Sequence, residues 1–245
     1  MIEGDTQWLL LCLAGFCVGL AKSGFSGFAL ISVFLMAEMF GKQSVGILLP
    51  MLIIADFVVY PLYRRHGSWR AVWHLLPIAV VGVAVGFVLL EAMPEAWAKP
   101  VIGSLILIMV LLQLVRQFDP DVVHRLAHSK GFGLLAGGFA GVATTIANAA
   151  GPVFQLYFLA RQLPKMELIG VGARFFLVIN LIKLPFMGGL AYTTTETLWL
   201  NAKLTPFILL GIIVGRYALR WVSQQVFEWM IVLFAIFSAL KLLMA

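Results

Sequence analysis

Leu75-Leu76-Pro77-Ile78-Ala79-Val80-Val81-Gly82-Val83-Ala84-Val85-Gly86-Phe87-Val88-Leu89-Leu90 carries neither a charge nor a hydroxyl. Apolar side chains fall on every face of a helix built from it, so no side is left for water. With its flanks it reaches the roughly 17–25 residues that a bilayer-spanning helix needs. The same punctuation returns later. Pro77 is followed by Gly82 and Gly86, and Pro206 by Gly211 and Gly215, at one displacement for all three. Asp56 with Pro61 matches Asn180 with Pro185, and Leu13-Ala14-Gly15 with Gly19 matches Leu135-Ala136-Gly137 with Gly141. Three matches in one order indicate a duplicated chain, with halves at about 5–116 and 131–245.

Composition extends this reading to the whole molecule. Hydrophobic residues make up 62% and charged residues 11%, with a mean hydropathy of +1.02. Soluble domains carry about 25% charged residues, so this chain cannot cover a water-facing surface. The expected fold is an all-α polytopic membrane bundle forming a single domain over 1–245. Five segments are expected per half: 8–21, 28–40, 45–62, 72–90 and 97–115, then 132–143, 149–160, 168–190, 204–219 and 226–243. The net charge is +6. The basic residues sit in short linkers between apolar runs, which reads as topology and not as a nucleic-acid surface. Met1 to Thr6 carries Glu3 and Asp5 and lacks the positive flank of a signal peptide. Cys12 and Cys17 share one apolar run and read as filler. His124 and His128, four apart, lie in a charged linker and read as solvated. No metal or cofactor is expected.

The first two segments of each half are short and joined by small polar residues. They read as broken or re-entrant hairpins whose tips lie within the membrane, where irregular backbone must face protein or a watery cavity. Lys/Arg asymmetry sets the orientation. Arg64-Arg65-His66-Gly67-Ser68-Trp69-Arg70, the central linker with Arg116, Arg125 and Lys130, and then Arg161, Lys165 and Arg220 are expected on the cytoplasmic side. Glu91, Glu95 and Glu196 are expected outside, with both chain ends. An odd number of segments per half inverts one half relative to the other. Inverted repeats with interrupted helices are a transporter architecture with its solute site near the midplane. Trp69, Trp97, Trp199, Trp221 and Trp229 lie near segment ends, as an aromatic belt requires.

The site residues follow from polar groups placed in apolar runs. The first tip offers Lys22, Ser23, Gly24, Ser26 and Gly27. The glycines permit close backbone approach, and a helix beginning near Ser26 would direct amide groups at an anion. The second tip offers Thr144, Thr145 and Asn148, and Pro152 suits the first turn of the next helix. Asp56 lies in the third segment, and Asn180 and Lys183 share a face in its counterpart. Intramembrane charge marks function by default. Asp56 reads equally as a proton carrier or as the ion-pair partner of a lysine. The glycine pairs read as helix-packing positions.

On these residues the chain resembles the sulfite exporter TauE/SafE family over nearly its whole length. The strings that carry the resemblance are Gly19 to Gly27, Leu48-Leu49-Pro50 through Asp56 to Trp69, Thr144 to Pro152, and Asn180-Leu181-Ile182-Lys183-Leu184-Pro185. The resemblance implies export of sulfite, sulfoacetate or a related organosulfonate across the bacterial inner membrane. The expected partners are a small anionic solute and the lipid bilayer, and a homodimer is compatible with the sequence. Two alternatives stay open: a cation or neutral-solute transporter using Asp56, and an intramembrane lipid-modifying enzyme. The enzyme reading lacks a base, nucleophile or metal cluster at one depth: His66, His74, His124 and His128 pair with no carboxylate inside a span.

Overall fold

The computed structural model describes residues 4–119, 131–161, 163–218 and 224–244. The linker holding Asp121, His124, Arg125, His128 and Lys130 lies outside them, as do Arg220 and Trp221. Among the described residues the long elements are ten α-helices. The leading half has α1 (Asp5–Lys22), α2 (Phe28–Phe40), α3 (Ser44–Tyr63), α4 (Trp69–Ala92) and α5 (Glu95–Phe118). The trailing half has α6 (Phe132–Ala147), α7 (Gly151–Ala160), α8 (Lys165–Gly189), α9 (Thr195–Ala218) and α10 (Gln224–Leu243). Five stretches are long and apolar enough to cross a membrane: Phe28–Tyr63, Trp69–Ala92, Glu95–Val115, Met166–Gly189 and Thr195–Ala218. The first is not one rod. Gly41 adopts φ 51° and ends α2, so α3 with its 20 residues is the spanning part.

Local chemistry sets the boundaries. Ser68 caps α4 by accepting from the Ala71 amide. Thr194 and Thr197 cap α9 reciprocally, each hydroxyl accepting from the other's amide at 3.3 and 2.8 Å. α9 therefore starts at Thr195, well before the expected 204. Asn201 and Lys203 obscured this start in the sequence. The Asn201 side-chain amide group finds partners inside the bundle, donating to the Ile47 and Thr197 carbonyls. α6 likewise runs on to Ala147, so Thr144 and Thr145 belong to its last turn and not to a loop. Thr145 bonds back to the Gly141 carbonyl at 2.9 Å, which a helix tolerates. Asn148, at φ 52° and ψ 27°, then ends the helix in the left-handed region, where asparagine is second only to glycine.

The halves interlock. α1 packs along α9 and α4 along α6, α3 faces α8, α5 faces α10, α2 rests on α10 and α7 on α5. Glycines permit the closest approaches. Gly19 meets the Ile208–Gly211 backbone, and Gly82 meets Gly138 and Gly141. Small residues at such crossings let helix backbones touch.

Two ends can be distinguished. At one, Arg174 donates to the carbonyls of Arg64 and His66, tying α8 to the basic loop after α3. At the other, the Lys42 amide donates to the Glu95 carboxylate and its ammonium to the Met93 carbonyl, while Thr193 donates to Gly46 O at 2.9 Å. Pro50 has no amide to offer that carbonyl, and Thr193 replaces it. The α1–α2 and α6–α7 turns pack against long helices of the opposite half. Ser23 lies against Gly215 and Thr145 against Gly86, both inside spanning helices. Trp97 and Trp199 are exposed at the starts of α5 and α9.

Candidate functional site

Four charged residues are buried among the described ones: Lys42, Asp56, Arg174 and Lys183, and only one of these is acidic. Asp56, wholly buried on α3, is the centre of the arrangement. Lys22, the last residue of α1, reaches its Oδ1 at 2.7 Å. Asn180 of α8 donates to its Oδ2 at 2.8 Å. The carboxylate is thus held on both oxygens, by the first hairpin and by the opposite half of the chain. Lys22 also stands 4.6 Å from the Phe176 ring centroid, a cation–π contact that strengthens where water is scarce.

Lys183, one turn beyond Asn180, makes a second knot. Its ammonium donates to Thr144 O at 2.6 Å, Thr144 Oγ1 at 3.1 Å and Asn148 Oδ1 at 2.6 Å. All three protons are placed, and the charge lies at the C-terminal end of α6, where a helix dipole favours a cation. Asn148 in turn donates to the Val45 carbonyl at 2.9 Å. The hairpin tip, α8 and the start of α3 are joined through one amide.

Beside Lys22 lies a cavity of about 190 Å³. Both hairpins, α3 and α8 form its walls. Of the residues proposed from sequence, Lys22, Gly24, Ser26, Thr144, Asn148 and Asn180 line it. Ser23, Gly27, Thr145, Asp56 and Lys183 are absent from its walls. Ser23 is buried and bonds the Leu20 carbonyl. Asp56 stands behind Lys22. At the start of α2 the amides of Phe28, Ala29 and Leu30 already bond the carbonyls of Phe25, Ser26 and Gly27, so these three do not face the cavity as free donors. Sequence reasoning missed other wall residues, among them Phe154, Gln155, Gly172 and Phe176, of which Gln155, polar in an apolar run, alone carried a readable signal. An aromatic or small residue in an apolar run carries no signal that separates a cavity wall from a core.

What the arrangement offers is a cationic group at a cavity edge, held by a carboxylate that takes no part in the wall, with hydroxyl and amide groups from Thr144, Asn148 and Asn180 alongside. A small anion can replace the carboxylate as the partner of Lys22. A cation has no carboxylate on the wall to meet among the described residues. A family model described as sulfite exporter TauE/SafE matches residues 11–242. The chain belongs to this family. No curated protein and no solved structure matches it. The TauE/SafE assignment makes the molecule a multi-pass membrane protein of a transporter family, in keeping with its five long apolar stretches, and it favours transport over intramembrane enzyme chemistry.

Proposed function

We propose that this TauE/SafE protein exports a small sulfur-containing anion, sulfite or an organosulfonate such as sulfoacetate, from the bacterial cytoplasm by alternating access at the Lys22 cavity. The observation that carries this reading is Lys22 itself: an ammonium at the wall of the cavity, with a second, buried lysine, Lys183, nearby and only one carboxylate in the cluster among the described residues. The anion takes Lys22 from Asp56, and Thr144, Asn148 and Asn180 replace part of its water.

The chain works as two inverted repeats, about 5–116 and 131–245, with the basic loops cytoplasmic and the acidic turns outside. Reciprocal packing supports this. α1 on α9 and α6 on α4 are the same pair with the halves exchanged. Asp56 and Asn180, equivalent in the duplication, touch each other, as residues beside a two-fold axis between the halves must.

With a negative interior, moving one negative charge outward gains about 2.3 kcal/mol per 100 mV. Export therefore needs no coupling ion. Sulfite flux from proteoliposomes should rise with an outward-directing potential and fall to background in Lys22→Ala. Flux independent of voltage, or undiminished in Lys22→Ala, contradicts the reading.

A further inference from the structure

The cavity extends in one direction only along α8. Its walls there are Leu168, Ile169, Gly172, Ala173, Phe176 and Asn180, which run from the cluster toward the basic-loop end that Arg174 ties down. Beyond Asn180, toward the acidic-turn end, the helices close. Val45 and Leu49 of α3, Leu90 of α4 and Met187 of α8 pack into a separate buried apolar cluster, each no more than 1% exposed. It is joined by Phe87, Leu184 and Tyr192.

The duplication relates the two ends. Asp56 with Asn180 and Pro61 with Pro185 fix one displacement between α3 and α8. At that displacement Val45 corresponds to Ile169 and Leu49 to Ala173. Equivalent positions therefore differ: Val45 and Leu49 belong to the sealed cluster, whereas Ile169, half-buried, and Ala173, buried at the edge of the main core, touch the cavity. A carrier built from two inverted copies changes its open side by exchanging the conformations of the copies. Val45 and Leu49, with Met187 packed in the same cluster, then mark the closed gate, and Ile169 and Ala173 mark the open one.

We infer that Val45, Leu49 and Met187 form the outer gate of the pathway, that Ile169 and Ala173 belong to the inner gate, and that this structure is the inward-open state. The inference rests on the inverted-repeat transporter reading above. The outer gate is also wired to the site. Asn148 lines the cavity and holds the Val45 carbonyl, while Thr193 holds the next carbonyl, Gly46, from the α8–α9 turn. An anion that draws the Asn148 side chain toward itself releases the backbone of a gate residue.

Thiol labelling of the full chain in membrane vesicles tests this, in a Cys12→Ala/Cys17→Ala background. Without substrate, Ile169→Cys should react with an impermeant reagent from the basic-loop side about tenfold faster than Leu49→Cys does from either side. Equal rates overturn the gate assignment, and this comparison needs no transported anion. With sulfoacetate, chosen because sulfite itself consumes thiol reagents, Leu49→Cys should become reactive from the acidic-turn side. Continued protection while flux persists overturns it. Bridging Leu49→Cys to Met187→Cys with a short cleavable reagent should cut flux about tenfold or more and restore it on cleavage, because a carrier locked on one side cannot alternate. Unchanged flux in the bridged protein overturns the gate and leaves the transport reading standing. Absent sulfoacetate flux in the unmodified protein, with the substrate-free labelling contrast intact, removes that substrate and keeps the gate.

Discussion

An ammonium group has three protons to place, and the two lysines of the cluster place them differently. Lys183 gives all three to protein oxygens. Lys183→Met would leave the Thr144 carbonyl and the Asn148 amide oxygen without their donor. An abandoned buried polar group costs about 1–3 kcal/mol, so thermal unfolding in detergent should show a clear loss of stability. Lys22 gives its charge to Asp56 and keeps one side on the cavity. On the proposed function, anion and carboxylate compete for it. Asp56→Asn removes the competitor, so sulfoacetate affinity should rise about tenfold, a change of roughly 1.4 kcal/mol. Calorimetric titration checks this, and weaker binding would show that Asp56 assists the anion. Lys22→Met alone strands a buried carboxylate, at a cost of about 3–5 kcal/mol. The paired change Lys22→Met/Asp56→Asn removes both charges and should recover most of that stability.

At the scale of helices, the glycine crossings hold the halves together. A side chain at Gly141 meets the Gly82 Cα and the Val83 amide of the neighbouring helix. Gly141→Leu should therefore abolish the monodisperse peak in size-exclusion chromatography. Gly188, with nothing near its missing Cβ, provides the control: Gly188→Ala should change stability by about 0.5 kcal/mol or less. The elements were legible because lipid-facing helices announce themselves as uncharged runs, and all ten expected segments correspond to helices. Their ends were less legible. α9 begins early because Asn201 finds the Ile47 carbonyl on α3, a partner far away in sequence. Thr144 and Thr145 looked like a loop because hydroxyls are common in loops, yet Thr145 bonds within its own helix. For the site, Lys22, Asp56 and Asn180 stood out as polar residues in apolar surroundings. The saturation of Lys183 did not, since it depends on α6 meeting α8. Phe154 and Phe176 were invisible for the opposite reason: a cavity wall and a packed core use the same residue types.

In the whole molecule, the two five-helix halves clasp each other, and their differences place the charges. Where the leading half offers Lys22 from its hairpin to Asp56 on its third helix, the trailing half offers Lys183 from its third helix to Thr144 on its hairpin. Each hairpin is thus moored by one lysine, drawn from opposite partners, and of the two only Lys22 lines the cavity. Lys22 at the cavity wall is the proposed anion-binding charge. Equilibrium binding of radiolabelled sulfoacetate to the purified protein, with unlabelled sulfite as competitor, tests it most directly. The native chain should bind saturably, Asp56→Asn more tightly, and the folded Lys22→Met/Asp56→Asn protein not at all. Native-like binding by that charge-free double variant would contradict the account.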